Sequence, residues 1–224
     1  MARRRNESHW LDAPGWWKKW KPLRWLAIGG VAAAVFSVTW TVKTYVLPVP
    51  HAETERFTGH AADPVPMLGG LRSYDSLEAV RARLDAAKAE YKVEQRHATP
   101  SSKYPPHDRD TLVAAKYLHL GTEGVLTLEF FNDRLYEAQF VPGEADPYAD
   151  RLHASDRRLK RDRAGRAEQV MGALRVATNV DFAGTDVGRN LQTKPFVLWQ
   201  DLRLVAELDE WDRRFVALPP PSKR

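Results

Sequence analysis

The side chains best suited to chemistry in this sequence of 224 residues lie between positions 97 and 119. A proline-rich loop contains the run HDRD at 107–110, and His97 and His119 lie on the predicted strands that flank it. Imidazole and carboxylate groups serve as general bases and as ligands of divalent metals, so a hydrolase or a metal-dependent enzyme is one hypothesis. Pairing of the flanking strands would bring His97 close to the loop. His119 is predicted to lie on an apolar face, where the alternative is a core histidine with one hydrogen bond.

The rest of the sequence offers little chemistry. It contains no nucleophile elbow, phosphate-binding loop, dinucleotide fingerprint, HExxH motif or EF-hand pattern. It also has no cysteine, which excludes a thiolate nucleophile, a disulfide scaffold and a cysteine-ligated zinc or iron–sulfur centre. We therefore expect a protein that is not an enzyme and that has no catalytic residues, metal site or cofactor.

The positive charge is confined to the N-terminus. The whole chain carries 34 Lys and Arg and 29 Asp and Glu, a net charge of +5. Residues 1–47 contain eight basic and two acidic groups, and residues 48–224 contain the other 26 basic and 27 acidic groups. A nearly neutral domain behind a basic segment is a poor match for nucleic-acid binding, so we expect no nucleic-acid partner.

A membrane span is predicted at 25–47. Residues 26–42 are uncharged and, with their flanks, form a stretch long enough to cross a bilayer as one helix. Seven basic residues precede the span and only Lys43 lies near its far end, which predicts a cytoplasmic N-terminus and a periplasmic domain in a bacterial inner membrane. A cleaved signal peptide is the alternative, but the apolar core is long and the cleavage site around Ala52 is poor.

Small residues follow one side of the predicted span. Gly30, Ala34, Ser37 and Thr41 recur at helical spacing. Because small side chains let two helices approach closely in lipid, they predict a helix-packing face. The expected partner is another membrane protein or a second copy of the chain.

Aromatic and basic residues surround the span on both sides. Such residues prefer the lipid headgroup region and predict contact with anionic lipid, although aromatic and basic residues together can also bind single-stranded nucleic acid. The membrane-interface residues are Trp16, Trp17, Lys18, Lys19, Trp20, Lys21, Trp25, Trp40 and Tyr45.

The sequence divides into five segments. Residues 1–24 form a cytoplasmic juxtamembrane segment, 25–47 the span, 48–70 a Pro/Gly-rich linker, 71–218 an extracytoplasmic domain and 219–224 a tail. Within the domain, periodicity predicts helices at 76–90, 146–161 and 165–177. It predicts strands at 91–98, 111–120, 125–131, 135–141, 196–199, 202–208 and 213–218. The expected fold is α+β, an antiparallel sheet of six or seven strands with two or three helices packed on one side.

The strand pattern of the sequence is clearest in a predicted meander of three strands. A three-residue connection at 132–134 sets Leu128 against Ala138 and Phe130 against Tyr136, whereas a two-residue turn would mismatch the apolar faces. A turn at 121–124 would then set Tyr117 against Leu128.

Three functional hypotheses remain open at this point. The leading one is a single-pass, membrane-anchored accessory or assembly subunit that binds partners through its span and its outer domain. The second is an extracytoplasmic module that binds or senses a small ligand between sheet and helices. The third is the hydrolase or metal-dependent enzyme that would use the 97–119 region.

Overall fold

The computed structural model describes residues 33–38, 51–98, 104–156, 159, 161–163 and 165–216. The chain forms two compact units, Met1–Pro48 and Val49–Arg224. In the first unit residues 33–38 are helical. None of the helices formed by the described residues has both the length and the apolar character needed to cross a membrane. Most of the predicted span lies outside those residues, and the span stays a prediction.

The second unit is built on a seven-stranded sheet in the order β1-β2-β3-β4-β7-β6-β5, with every neighbouring pair antiparallel. This confirms the predicted α+β class and its antiparallel sheet. The strands are β1 Lys92–Arg96, β2 Arg109–His119, β3 Thr122–Phe131, β4 Leu135–Pro142, β5 Ala167–Met171, β6 Leu174–Thr178 and β7 Val197–Asp201.

Six α-helices accompany the sheet among the described residues of this unit. They are α1 His51–Thr58, α2 Leu77–Ala86, α3 Ala145–Ser155, α4 Val180–Gly184, α5 Asp186–Asn190 and α6 Leu202–Phe215, and a 3-10 turn lies at Leu68–Gly70. Helix α2 begins as its sequence predicts, because the Ser76 hydroxyl accepts a hydrogen bond from the Ala79 amide at 3.2 Å.

One face of the sheet forms the main core. Leu112, Leu126, Leu128, Ala138 and Phe140 point to this face and are fully buried. They belong to a single cluster with residues of α2, α3 and α4, including Val80, Tyr148, Leu152 and Val180. A smaller cluster joins Phe57, Phe131, Leu208 and Trp211 at the end of the sheet where α1 and α6 lie.

Three predicted elements are wrong in type. Residues 165–177, predicted as a helix, contain β5 and most of β6, joined at Gly172, whose φ of +60° makes the tight turn possible. Residues 202–218, predicted as two strands, contain α6. Leu204, Leu208 and Trp211 recur at helical spacing and form its buried side, so the helical period prevails over the alternation of leucines.

The β3–β4 turn differs from the prediction in length. Phe131 and Arg134 exchange main-chain hydrogen bonds around a two-residue turn in which Asn132 and Asp133 have φ of +50° and +57°. A bulge at Tyr136 then pairs Phe130 with Leu135 and restores the predicted pairing of Leu128 with Ala138. The bulge supplies the residue that the prediction had assigned to the turn.

The β2–β3 register also differs. A tight turn at Leu120-Gly121 pairs His119 with Thr122, and a bulge after Ala114 shifts the strand by one residue. Leu128 therefore lies opposite Leu112, and Tyr117 lies opposite Gly124.

Candidate functional site

The predicted proximity of His97 to the loop at 107–110 is confirmed. His97 Nε2 lies 3.1 Å from Asp110 Oδ1. The Asp110 side chain is only 5% exposed, whereas that of His97 is 55% exposed. Burial raises the pKa of the Asp110 carboxyl, and His97 opposes that rise. This is a buried acid with a solvent-accessible histidine as its partner.

Asp108 lies in the same loop and is held there by two hydrogen bonds. Its Oδ1 accepts a hydrogen bond from the Ala98 amide at 3.1 Å, and its own amide donates to Asn132 Oδ1 at 2.8 Å. An open cavity of about 810 Å³ lies beside these residues, between α2, β1 and the β3–β4 turn. Acidic residues outnumber basic ones in the lining, which includes Glu78, Asp85, Asp108, Asp110 and Asp133 with Arg81 and His97.

His107 belongs to a different place. Its ring stacks on Trp211 at 3.8 Å between ring centroids, and its Nε2 lies 3.2 Å from Asp212 Oδ1. Arg109 binds the other oxygen of Asp212 at 2.7 Å. Burial lowers the pKa of His107, and the charge of Arg109 lowers it further. These contacts attach the loop to α6, so a variant at His107 would disturb packing before it disturbed any chemistry.

His119 is a core histidine. Its Nδ1 lies 2.8 Å from the Tyr148 hydroxyl, and its ring contacts Phe140 and Trp199. Burial lowers its pKa to about 4, so the ring is neutral at physiological pH. The sequence-based alternative for this residue is confirmed.

The predicted cluster is thus divided among three places. In the part of the chain that the structure describes, no three His, Cys, Asp or Glu side chains converge in a way that could hold a metal ion. The His97–Asp110 pair beside the cavity is what remains of the predicted site.

A different polar centre, which the sequence analysis missed, holds α1 against the domain. The Arg134 side chain is fully buried. Its guanidinium donates to the carbonyl oxygens of Phe57 and Gly59 at 2.6 and 2.8 Å and to Glu207 Oε2 at 2.9 Å. Burial raises the pKa of the Glu207 carboxyl, and Arg134 opposes that rise. Because a buried charge is stable only when paired and hydrogen-bonded, this arginine fixes the end of α1 in place.

Neighbouring groups extend this arrangement, which we call the α1 clamp. Asn132 Nδ2 also donates to the Phe57 carbonyl, at 2.8 Å, and the Phe57 ring is fully buried against α6 and Phe131. Two ion pairs, Arg56 with Glu210 and Glu53 with Arg214, join α1 to α6 along their length. Phe57, the only large apolar residue of α1, was the available sequence signal.

Sequence comparison adds no identification, since no protein-family model matches the chain and no curated protein is significantly similar to it. Two of the predicted helix-packing residues, Ala34 and Ser37, lie in the helical stretch 33–38. The other predicted membrane residues lie outside the described residues, namely Gly30, Thr41, Trp16, Trp17, Lys18, Lys19, Trp20, Lys21, Trp25, Trp40 and Tyr45.

Proposed function

We propose that this protein is a non-enzymatic, single-pass subunit of a bacterial envelope complex. Its N-terminus would be cytoplasmic, residues 25–47 would span the inner membrane and the α+β domain would lie in the periplasm. The observation that carries the proposal is the α1 clamp. Only residues 48–50 separate the predicted span from α1, so a domain held through α1 has very little free tether.

A fixed attachment suits a subunit better than a diffusible binding module. A passive tether needs no buried arginine, because polar, flexible residues connect an anchor to a domain at no folding cost. Here Arg134 and Asn132 bind the carbonyls that end α1, and Phe57 fills an apolar site. Such an attachment of α1 to its own domain would suit a subunit that meets a partner in the same membrane.

The described part of the predicted span supports the same proposal. Residues 33–38 are helical, and Val35, Phe36 and Val38 are each more than half exposed. Large apolar side chains on the outside of a helix are stable in lipid and unfavourable in water. Ala34 and Ser37 belong to the predicted small face, on which a partner helix would pack.

The first test determines where the full-length chain is located and which proteins it associates with. It should stay with membranes after an alkaline wash, and a protease added outside the inner membrane should reach residues 51–216. Extraction in mild detergent should yield stoichiometric companions or a defined oligomer. Release into the soluble fraction would contradict the anchor, and a lone monomer would contradict the subunit.

A second test probes the predicted helix face. Gly30→Leu combined with Ala34→Leu should weaken the association, because the added side chains keep the helices apart. The matched control is Val35→Leu with Val42→Leu, which adds bulk on another side of the same helix. If both pairs of substitutions leave the association unchanged, the span does not contribute to it.

The open acid-lined cavity favours one alternative, the binding or sensing of a small ligand. Its lining would attract a cation, so a polyamine such as spermidine is the appropriate first probe. On this alternative the melting temperature of the full chain should rise with ligand concentration, and Asp133→Asn should reduce the rise. An unchanged melting temperature at millimolar spermidine would contradict cation binding there.

A further inference from the structure

The seven-stranded sheet ends in two edge strands, β1 and β5. Arg161 forms a bridge to Ala167, so the chain itself covers the first residue of β5. Strand β1 pairs with β2 on one side, and no other strand formed by the described residues lies on its other side, which we call the open edge. The β1–β2 register runs without a shift from Lys92 to Arg96, so no bulge bends β1 away, and the strand contains no proline or glycine. An edge of this kind can pair with a further strand.

The charges along one side of β1 alternate in sign. They occupy every second position, beginning two residues before the strand, and are, in order, Glu90, Lys92, Glu94 and Arg96. All four residues are exposed, and the three within β1 lie on the face of the sheet away from the main core. Val93, between them, packs against the main core on the other face. The open edge therefore presents a row of charges above an apolar residue.

Most of the capacity of this row for ion pairing is unused within the chain. Arg96 donates two hydrogen bonds to Glu94, at 2.6 and 2.8 Å, and both end on Oε1, so Oε2 can accept from another donor. The Glu94 side chain is 63% exposed and that of Arg96 is 74% exposed, so their pairing contributes little to stability. Glu90 and Lys92 form neither an ion pair nor a side-chain hydrogen bond with any described residue. An acid and a base of the row thus remain unpaired.

We propose that β1 pairs along its open edge with β1 of a second copy of this chain. The two strands run antiparallel about a twofold axis that passes through the pair of Val93 residues, perpendicular to the sheet. Lys92 of each copy then lies opposite Glu94 of the other, and Glu90 lies opposite Arg96. Opposite charges that face each other across neighbouring strands stabilise their pairing, and a strand that complements itself is what an isologous dimer requires. This inference names the partner in the proposed function and rests on it only for the membrane setting.

The charge pattern selects this register. With the axis at Lys92 or at Glu94, identical charges meet at the centre, which destabilises the pairing. An axis at Gln95 forms two pairs of opposite charge, whereas the axis at Val93 forms four. Charged side chains on an edge strand commonly prevent pairing with other strands. Here their alternation disfavours the neighbouring registers and favours a single one.

The contact has a limited size. The paired segment, residues 90–96, is about 24 Å long at about 3.4 Å per residue. Main-chain hydrogen bonds between the two strands supply affinity, and the side chains supply the register. A single pair of short strands buries much less surface than a stable interface requires. The dimer should therefore be weak in free solution, and confinement of both copies to one membrane would raise its occupancy.

Complementary charge reversal on the full-length chain in mild detergent tests this pairing. Light scattering over a range of concentrations gives the dissociation constant of the dimer. Lys92→Glu and Glu94→Lys should each raise it by at least about tenfold, because symmetry makes two attractive pairs repulsive. An equimolar mixture of the two variants should return it to within about threefold of the wild-type value, because every charge again faces its opposite. Lys194→Glu, the same substitution at an exposed lysine before β7, is the matched control and should change nothing.

Disulfide formation gives an independent readout that does not depend on charge. The chain has no cysteine, so Val93→Cys introduces a single thiol at the twofold axis. Residues directly opposite each other on antiparallel strands have Cα atoms about 4.5–5.5 Å apart, a distance that a disulfide spans. Val93→Cys should therefore form a disulfide-linked dimer on mild oxidation of native membranes. Gln95→Cys should not, because its two thiols would lie about 14 Å apart along the paired strands.

Three results would overturn the proposal. One is the absence of a Val93→Cys disulfide in the membrane, whether or not Gln95→Cys forms one. Another is an association that neither charge reversal weakens, which would assign it to the predicted span or to a different surface. The third is a mixture of the two folded variants that stays as dissociated as each variant alone. A chain that fails these tests but keeps other companions in detergent would contradict the β1 pairing and not the subunit, and a chain released from membranes would contradict the anchor.

Discussion

Replacing Arg134 by methionine should be among the most damaging single changes in the domain. The methionine side chain fills much of the space of the arginine stem but donates no hydrogen bond. The change leaves the Gly59 carbonyl without its side-chain donor, removes one of the two side-chain donors to the Phe57 carbonyl and leaves Glu207 without its ion-pair partner. Glu207 is 23% exposed, so water reaches it only partly.

The expected loss follows from these contacts. Removing one partner of a buried ion pair costs about 3–5 kcal/mol, because the remaining charge has lost its compensation. Partial access of water to Glu207 favours the lower half of that range, so we expect about 3–4 kcal/mol. Arg134→Lys keeps the charge but not the planar fork that reaches two carbonyls and a carboxylate, and should cost about half as much. Arg83→Met is the matched control, since this arginine also binds a carbonyl and a carboxylate but is 48% exposed.

Equilibrium urea unfolding of the full chain measures the loss, and hydrogen exchange of peptides covering residues 51–59 localises it. Arg134→Met should increase exchange in α1 more than in β3. The loss should be smaller near pH 5 than at pH 7, because protonation of Glu207 removes the unpaired charge. A loss within 1 kcal/mol of that caused by Arg83→Met, which we expect to be below about 1 kcal/mol, would refute the reasoning.

Lowering the pH should cost stability through His119, whose folded pKa of about 4 lies below its usual value. The unfolded chain then takes up a proton first, so stability is complete above about pH 6.5 and falls by up to about 3 kcal/mol towards pH 4. His119→Gln should flatten the melting temperature over that range, and an unchanged slope would contradict the assignment. Ser76→Ala should cost about 1 kcal/mol in urea unfolding through loss of the α2 cap, and a loss below about 0.3 kcal/mol would show that the cap is unimportant. Asn132→Gly and Asn132→Ala both lose the side-chain bonds to Phe57 and Asp108, but alanine should cost about 1 kcal/mol more because φ is +50°. Equal losses for the two variants would mean that the backbone conformation is not strained.

Strand pairing was predictable where neighbouring strands are also adjacent in sequence and show clear apolar alternation. Alternating apolar residues in β3 and β4 defined the buried face, and the pairing of Leu128 with Ala138 followed from matching those faces. The turn length did not follow, because a tight turn with a bulge and a longer turn without one align the same apolar residues. Only the positive φ of Asn132 and Asp133 distinguishes the two.

Helix and strand were confused where both periods fit the sequence. Leu202, Leu204 and Leu208 alternate like a strand, yet Leu204, Leu208 and Trp211 also mark one side of a helix. Conversely, Val170 and Leu174 stand four residues apart as in a helix, although Gly172 turns the chain between them. In both cases tertiary packing determined the type of element, since α6 covers Phe57 and Phe131 and β6 pairs with β7.

The α1 clamp could not be predicted from composition. Arginine is rarely fully buried, so the polar turn around Arg134 predicts an exposed side chain, whereas the structure buries it. Its partners are main-chain carbonyls 75 and 77 residues away, and every residue has a carbonyl, so no residue type marks them. The proline and glycine residues at 48–70 likewise indicate a linker. The groups that hold Phe57 lie on distant elements, so the local sequence does not show them. What the structure adds is therefore the attachment of α1 to the rest of its domain.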